Sequence, residues 1–186
     1  MKQAYEKYLK EILIDSETLQ QRVAELGAQI SADYAGHDKL MLICILKGGV
    51  LFLTDLMRQI DVPHEIDFLA VSSYGRGGRS ATGSVRIDMD LKEGVNGKDL
   101  LIIEDIIDSG YTLRFVMDML QARKPASIRL CTLLNKASRR VIDIPVDYVG
   151  FEIEDKFVFG YGLDLDEKYR NLPFVGVVRL EALQNE

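Results

Sequence analysis

Three carboxylates and a turn of small residues stand close together in the middle of the chain. Glu104 and Asp105 follow the apolar run at residues 100–103, Asp108 comes next, and a turn at residues 109–112 follows directly. An amphipathic helix pattern begins there, so the turn falls at a helix N-terminus, whose free N–H groups can hold a phosphate. Bare carboxylates would repel that anion. Their presence therefore indicates sugar hydroxyl groups or a metal ion at the same place.

Two further segments carry polar groups where an apolar run ends. Lys47-Gly48-Gly49 follows the apolar run 40–46, and Lys136 follows the run 128–134. The glycine pair indicates either a tight turn or a backbone that approaches a ligand closely. Spacing alone leaves other classes open, because acidic residues at the end of a parallel strand also occur in receiver domains and phosphatases.

Composition limits the possible classes of protein. The 186 residues, of which 47% are hydrophobic and 28% charged, fit one domain over residues 1–186. The net charge of −6 disfavours a general nucleic-acid surface. An apolar run of about 18 residues is missing, as is a signal-peptide pattern, so we expect no membrane partner.

Cys44 and Cys131 lie in apolar runs, which predicts buried thiols in a cytoplasmic protein. His37 and His64 lack partners at ligand spacing.

Short apolar runs alternate with helical stripes along the chain. Asp15 or Ser16 can cap the first helix, whose buried stripe comprises Leu19, Val23, Leu26 and Ile30. This alternation predicts an α/β fold with a mostly parallel, twisted sheet and helices on both faces. The core is expected over about residues 36–150, with the ligand loops at the carboxyl edge of the sheet.

One segment breaks all periodicity. Residues 74–83 are rich in glycine and contain two arginines and two hydroxyl residues. A long polar loop of this kind near a ligand site predicts a lid. The other interpretation is a slack β-hairpin, with residues 85–89 as its returning strand.

Five separated segments, in order, resemble the type I phosphoribosyltransferase family, and in detail its hypoxanthine-guanine branch. They are residues 46–49, 72–75, 104–112, 134–136, and 156–164 together with Arg170. The resemblance covers about residues 8–180. It implies that residues 1–14 and 151–186 form a small hood above the sheet edge, and that the protein is a homodimer or homotetramer.

The resemblance also implies a reaction and its residues. A phosphoribosyl group would pass from phosphoribosyl diphosphate (PRPP) to a 6-oxopurine base, with Mg²⁺ as cofactor and Asp108 as general base. The ribose and 5′-phosphate would lie at Glu104, Asp105, Ser109, Gly110, Tyr111 and Thr112. The pyrophosphate would lie at Lys47, Gly48, Ser73, Tyr74 and Arg170. The purine site would comprise Lys136, Phe157, Val158 and Asp164, and the metal ligands would be Glu104, Asp105 and Asp164.

Rival functions stay open at this point. The first is a regulator on the same fold, either an RNA-binding attenuator or a PRPP-sensing repressor. A repressor needs a helix-turn-helix segment, for which residues 1–15 leave no room, and an attenuator needs a basic face that a net charge of −6 disfavours. The others are a xanthine-preferring enzyme of the same branch and a receiver-type phosphate acceptor, in which Lys136 and Asp164 would have no role.

Overall fold

The structure, a computed structural model, describes residues 4–73 and 85–183. The lid predicted at residues 74–83, including Tyr74, lies outside this part of the chain. The described strands are β1 (Leu9–Ile14), β2 (Leu40–Leu46), β3 (His64–Ser73), β4 (Val85–Met89), β5 (Asp99–Ile107), β6 (Ser127–Asn135), β7 (Tyr148–Glu152), β8 (Val158–Phe159) and β9 (Val175–Val178). The helices are α1 (Ser16–Asp33), α2 (Val50–Met57) and α3 (Tyr111–Gln121), with short 3-10 helices at Ala137–Arg139 and Leu180–Leu183.

Six of the strands form one sheet in the order β4-β3-β2-β5-β6-β7. Neighbours are parallel except for β3 and β4, which pair antiparallel. Alternate residues of the central strands pack against α1 and α2 on one face and against α3 on the other. The predicted α/β fold, with a mostly parallel sheet covered on both faces, is confirmed.

The helices form where the apolar periodicity places them. Asp15 caps α1, since its side chain accepts a hydrogen bond of 2.8 Å from the Thr18 N–H. All four residues of the predicted α1 stripe are fully buried. A second apolar stripe in the sequence, Leu53, Leu56, Met57 and Ile60, predicts a helix to residue 60, but α2 ends at Met57 and Ile60 is buried beyond its end.

The central strand β5 is longer than its apolar run. Its pairing with β2 ends at Cys44 and Ile103, but its pairing with β6 continues to Ile107 and Asn135. The sequence indicates a strand only over the apolar run at residues 100–103, with Glu104 and Asp105 closing it, and this is wrong, because both carboxylates lie within β5. Since β2 has already turned away, one edge of β5 is left open beside them.

A second sheet joins the two ends of the described chain. Its order is β1-β9-β8, with antiparallel pairs, and it has its own aromatic core around Tyr8, Phe159 and Phe174. Between β8 and β9, Gly162 lies against the backbone of Gly48. This sheet therefore carries the residues after 155 to the carboxyl edge of the main sheet. Among the described residues, no helix is long and apolar enough to cross a membrane.

Candidate ligand site at the carboxyl edge of the sheet

The two carboxylates in β5 lie at the open edge of that strand. The Asp105 Oδ1 accepts a hydrogen bond of 2.7 Å from the Ile106 N–H. A Cβ atom on residue 48 would overlap the Asp105 carboxylate, so only glycine allows the loop after β2 to lie there. The Glu104 Oε2 is buried and has no hydrogen-bond partner.

These two carboxylates have unusual electrostatics. Burial, together with the charge of Asp105, raises the pKa of Glu104 well above its ordinary value. Burial also raises the pKa of Asp105 to about 6, although its hydrogen bond with the Ile106 N–H and the guanidinium of Arg170 act in the opposite direction. A buried carboxylate without partners costs free energy, and that cost is recovered when a ligand supplies hydrogen bonds or positive charge.

The turn after Asp108 forms the N-terminus of α3. Gly110 is the N-cap residue with a left-handed φ of +90°, and no side chain caps the helix. A Cβ atom there would lie only 2.9 Å from the Ile142 carbonyl oxygen. The Ser109 carbonyl oxygen accepts hydrogen bonds of 3.0 Å from the Val141 and Ile142 N–H groups, which fix the turn. The first turn of a helix presents N–H groups without helical partners, and this loop is therefore shaped to receive a phosphate.

A cluster of charges faces Asp105 from the segment between β8 and β9. Arg170 donates one hydrogen bond of 2.8 Å to the Gly162 carbonyl oxygen and pairs with Asp164 at 2.9 Å. Lys47, which follows a cis peptide bond at Leu46–Lys47, pairs with Glu167 at 2.7 Å. Arg170 thus acts on Asp105, and Glu167 brings Arg170 and Lys47 together from distant parts of the chain.

The other side of the site contains Asp108 and Lys136. Asp108 is half exposed and pairs at 3.1 Å with the Nε of Arg139. Lys136 is buried, with its Nζ 3.5 Å from Asp155, which also lies 3.5 Å from Arg139. The Lys136 backbone N–H donates to the Ile107 carbonyl oxygen, which fixes its position beside β5.

An aromatic side chain is available next to this group. Phe157 is 49% exposed and directly precedes the buried strand β8, and its carbonyl oxygen accepts a hydrogen bond from the Val178 N–H. Val158 is buried in β8. An exposed ring held at a fixed backbone position can stack on a planar ligand.

The structure brings two groups of predicted residues to this edge, around Asp105 and around Asp108. Ser73 ends β3, but its side chain is not described, and Tyr74 lies outside the described residues. Sequence reasoning missed the ion-pair partners Glu167, Arg139 and Asp155. Their charge was the only sequence signal that they could form ion pairs. The partners are far apart in the sequence, 120 residues for Glu167 and Lys47 and 31 residues for Arg139 and Asp108.

The histidines and cysteines lie elsewhere. His37 pairs with Asp99 at the amino end of β5, and the Nδ1 of His64 lies 2.8 Å from the Val62 carbonyl oxygen. Cys44 and Cys131 are buried free thiols, as predicted. Within residues 4–73 and 85–183, no group of three or more His, Cys, Asp or Glu side chains is placed to hold a metal ion by itself.

Comparison with known proteins identifies the family. The phosphoribosyl transferase domain model matches residues 11–168, and the chain belongs to this family. Hypoxanthine phosphoribosyltransferase of Salmonella typhimurium strain LT2 is 49% identical over 175 residues, which cover 94% of this chain and 98% of the relative. Hypoxanthine-guanine phosphoribosyltransferase of Streptococcus thermophilus strain CNRZ 1066 is 47% identical over 176 residues, covering 95% and 97%.

Solved structures agree with this assignment. The crystal structure of a hypoxanthine phosphoribosyltransferase from Staphylococcus aureus has a TM-score of 0.92 and 46% identity, and the match covers 97% of both chains. The family resemblance of the five sequence segments is therefore confirmed.

Proposed function

We propose that this protein is a purine salvage enzyme that transfers the 5-phosphoribosyl group of PRPP to hypoxanthine and guanine. The products are the nucleoside monophosphate and pyrophosphate. The single observation that carries the proposal is the pair of neighbouring carboxylates with raised pKa, Glu104 and Asp105, shortly before the glycine-capped N-terminus of α3, with one Glu104 oxygen buried and without a partner. That arrangement suits a sugar phosphate, and the relatives named above are hypoxanthine and hypoxanthine-guanine phosphoribosyltransferases.

PRPP has three parts, and each has a matching group of residues. Glu104 and Asp105 accept hydrogen bonds from the ribose hydroxyl groups. Residues 109–112 bind the 5′-phosphate with their N–H and hydroxyl groups. Lys47, the Gly48 backbone and Arg170 bind the pyrophosphate, where the planar fork of Arg170 matches phosphate oxygens. Ser73 and Tyr74 complete this group in the proposal.

Mg²⁺ fits the donors at the ribose. It prefers one or two carboxylates together with phosphate oxygens and water, and Glu104 has a buried oxygen without a partner. Glu104 and Asp105 would hold one ion. Asp164 would hold a second at the pyrophosphate through its remaining lone pairs, because one of its oxygens is paired with Arg170 and the other accepts a hydrogen bond from the Glu167 N–H. Held by these residues, Mg²⁺ would supply positive charge at the leaving pyrophosphate.

The bond between the ribose anomeric carbon and the pyrophosphate oxygen breaks as a purine ring nitrogen attacks that carbon. The attacking nitrogen becomes more nucleophilic when the other imidazole nitrogen of the base loses its proton. Asp108 accepts that proton as general base. In the structure its carboxylate faces Arg139, so the purine N–H must take the place of that guanidinium or share the carboxylate with it.

The base is held by three further groups. Phe157 stacks on the ring, the Val158 backbone contacts its edge, and Lys136 donates to the oxygen at position 6. Lys136 is buried, and a buried ammonium needs acceptors. Hypoxanthine, guanine and xanthine offer an oxygen at this position, whereas adenine offers an amino group, which is a donor.

Discrimination between bases tests the proposal. Wild-type protein with Mg²⁺ and PRPP should convert hypoxanthine and should use adenine at least about 10⁴-fold less efficiently. Adenine has no oxygen at position 6, so it offers the Lys136 ammonium no acceptor there. In Lys136→Ala, kcat/KM for hypoxanthine should fall and the gap to adenine should narrow. Lys156→Ala is the matched control, since Lys156 lies near the same segment but pairs with Glu11. A lack of product with every purine would reject the enzyme proposal and favour the regulator.

The remaining assignments are parts of the same proposal. The chain acts as one domain, in which the sheet of β1, β9 and β8 serves as the hood over the ligand edge. The enzyme works in the cytoplasm. It forms a homodimer or homotetramer, in keeping with the rule that most soluble oligomers consist of identical chains with closed symmetry. Light scattering of the purified protein measures the number of subunits.

A further inference from the structure

Glu167 lies where the proposed pyrophosphate site places a phosphate group. Its Oε2 is 2.7 Å from the Lys47 Nζ, and its Oε1 is 3.4 Å from the Arg170 Nη2. One carboxylate therefore bridges the two cations to which we assign the pyrophosphate. A carboxylate and a phosphate group both present anionic oxygens to such cations.

The backbone holds Glu167 in this position. Residue 167 has a left-handed φ of +61°, which is uncommon for a residue with a side chain. Its N–H donates a hydrogen bond of 2.9 Å to the Asp164 Oδ2, and Asp164 is itself paired with Arg170. The loop thus aims the Glu167 side chain at Lys47 and Arg170 through contacts independent of the bridging carboxylate.

The ion pair between Glu167 and Lys47 is weak enough for a bound anion to replace it. The side chains of Lys47 and Glu167 are 69% and 66% exposed, and exposed ion pairs are weak because water competes for both partners. The Glu167 carboxylate lies between two cations, so it faces them with negative charge. A pyrophosphate, with more charge and more oxygens, can displace it, but the carboxylate competes for the cations and repels the arriving anion.

We propose that Glu167 is a positioning residue that occupies the pyrophosphate site in the free protein and sets the affinity for that group. It pairs with Lys47 and Arg170 until PRPP or pyrophosphate arrives and leaves them on binding, and it weakens retention of the product pyrophosphate. This inference rests on the proposed function, because it uses the assignment of Lys47 and Arg170 to pyrophosphate.

The physical argument gives one direction for the effect. Glu167→Gln removes both the competition for the cations and the repulsion of the incoming anion, and both changes favour pyrophosphate. We expect the Kd for magnesium pyrophosphate, and the KM for PRPP, to fall by roughly 3- to 10-fold, in keeping with the weakness of exposed ion pairs. The Kd for the nucleotide product, which has no pyrophosphate, should not change.

Asp166 offers a matched control. It is the adjacent residue, also has a left-handed φ, and is 89% exposed, but it pairs with Lys168 and not with the two cations. Asp166→Asn removes the same charge from the next position in the loop. If net charge alone determines affinity, both variants will bind pyrophosphate more tightly to a similar degree, which would overturn the inference. Tighter binding by Glu167→Gln alone supports it.

Isothermal titration of magnesium pyrophosphate and of inosine monophosphate into all three proteins completes the test. If wild-type protein binds pyrophosphate and Glu167→Gln binds it equally or more weakly, the inference fails while the proposed function stands. If wild-type protein binds no pyrophosphate, the site assignment in the proposed function fails, and the inference fails with it.

Discussion

Carboxylates at the two ends of β5 have pKa values that are shifted in opposite directions. At the amino end, Asp99 is held by the His37 Nδ1 at 2.8 Å and by the Ser127 hydroxyl at 2.5 Å. The hydrogen bond with His37, followed by that with Ser127, lowers the pKa of Asp99. At the carboxyl end, burial raises the pKa of Glu104 and of Asp105.

The contrast separates a structural carboxylate from a functional one on the same strand. A carboxylate that the protein itself satisfies stabilises the fold, because its charged form is preferred in the folded state. A buried carboxylate without partners does the reverse, and carboxylates with raised pKa cluster at functional sites. Removing charge at the carboxyl end should therefore lower activity without lowering stability, whereas removing it at the amino end should lower stability and leave activity unchanged.

The largest effect is expected from the double variant Glu104→Gln/Asp105→Asn. Loss of two charged acceptors for the ribose should lower kcat/KM by about 10⁴-fold, since truncating one partner of a buried charged contact costs about 2–5 kcal/mol. The melting temperature of the ligand-free protein should stay the same or rise. A protein with normal activity would abolish the contrast, and a large loss of stability would show that both carboxylates serve the fold.

Asp108→Asn sharpens the distinction within the functional end. If Asp108 is the general base, kcat should fall by about 10²–10⁴-fold while the Kd for PRPP stays close to that of the wild type. Steady-state kinetics together with PRPP titration measure both quantities. Circular dichroism controls for damage to the fold, since the variant also loses the ion pair with Arg139. Full kcat in a folded variant would remove Asp108 from this role.

The pH dependence of stability should also differ between the ends. The pKa of Asp105 is about 6 in the folded protein, against an ordinary value of 3.8. The folded state then holds a proton that the unfolded state releases, so Asp105 makes stability fall as pH rises from about 4 to 6. Relative to wild type, Asp105→Asn should gain up to about 3 kcal/mol of unfolding free energy across this range.

Urea denaturation at several pH values, in EDTA and without PRPP, measures this difference. A constant difference between Asp105→Asn and wild type from pH 4 to 7 would show that Asp105 has no raised pKa in the folded protein.

The smallest effect is expected at the amino end. Asp99→Asn should lower the unfolding free energy at pH 7 by about 1 kcal/mol, the typical contribution of a hydrogen bond, and leave kcat/KM unchanged. Because the pKa of Asp99 is lowered in the folded protein, this stabilisation is fully present above the ordinary pKa and is lost as pH falls from there through the lower pKa of the folded state. Chemical denaturation at pH 7 and near pH 3 measures both. A loss of activity in the folded variant would contradict the division between the two ends.

Local patterns in the sequence determined most of the elements and the composition of the site. The stripe of α1, its cap at Asp15 and the apolar run of β2 could all be read from neighbouring residues, because helix and strand periodicity are local properties. The turn before α3 could be read in the same way, since a helix N-terminus and a left-handed glycine each leave a short sequence signal.

Only the tertiary structure decided which charges meet. The length of β5 follows from its pairing with β6, and the open edge beside Glu104 and Asp105 follows from where its pairing with β2 ends, so neither could be inferred from the residues of β5 alone. The bridge from Glu167 to Lys47 joins residues 120 positions apart. It forms because the segment between β8 and β9 docks against the loop after β2. A charged side chain carries no local signal of its partner, since its pairing depends on the packing of the backbones that carry it.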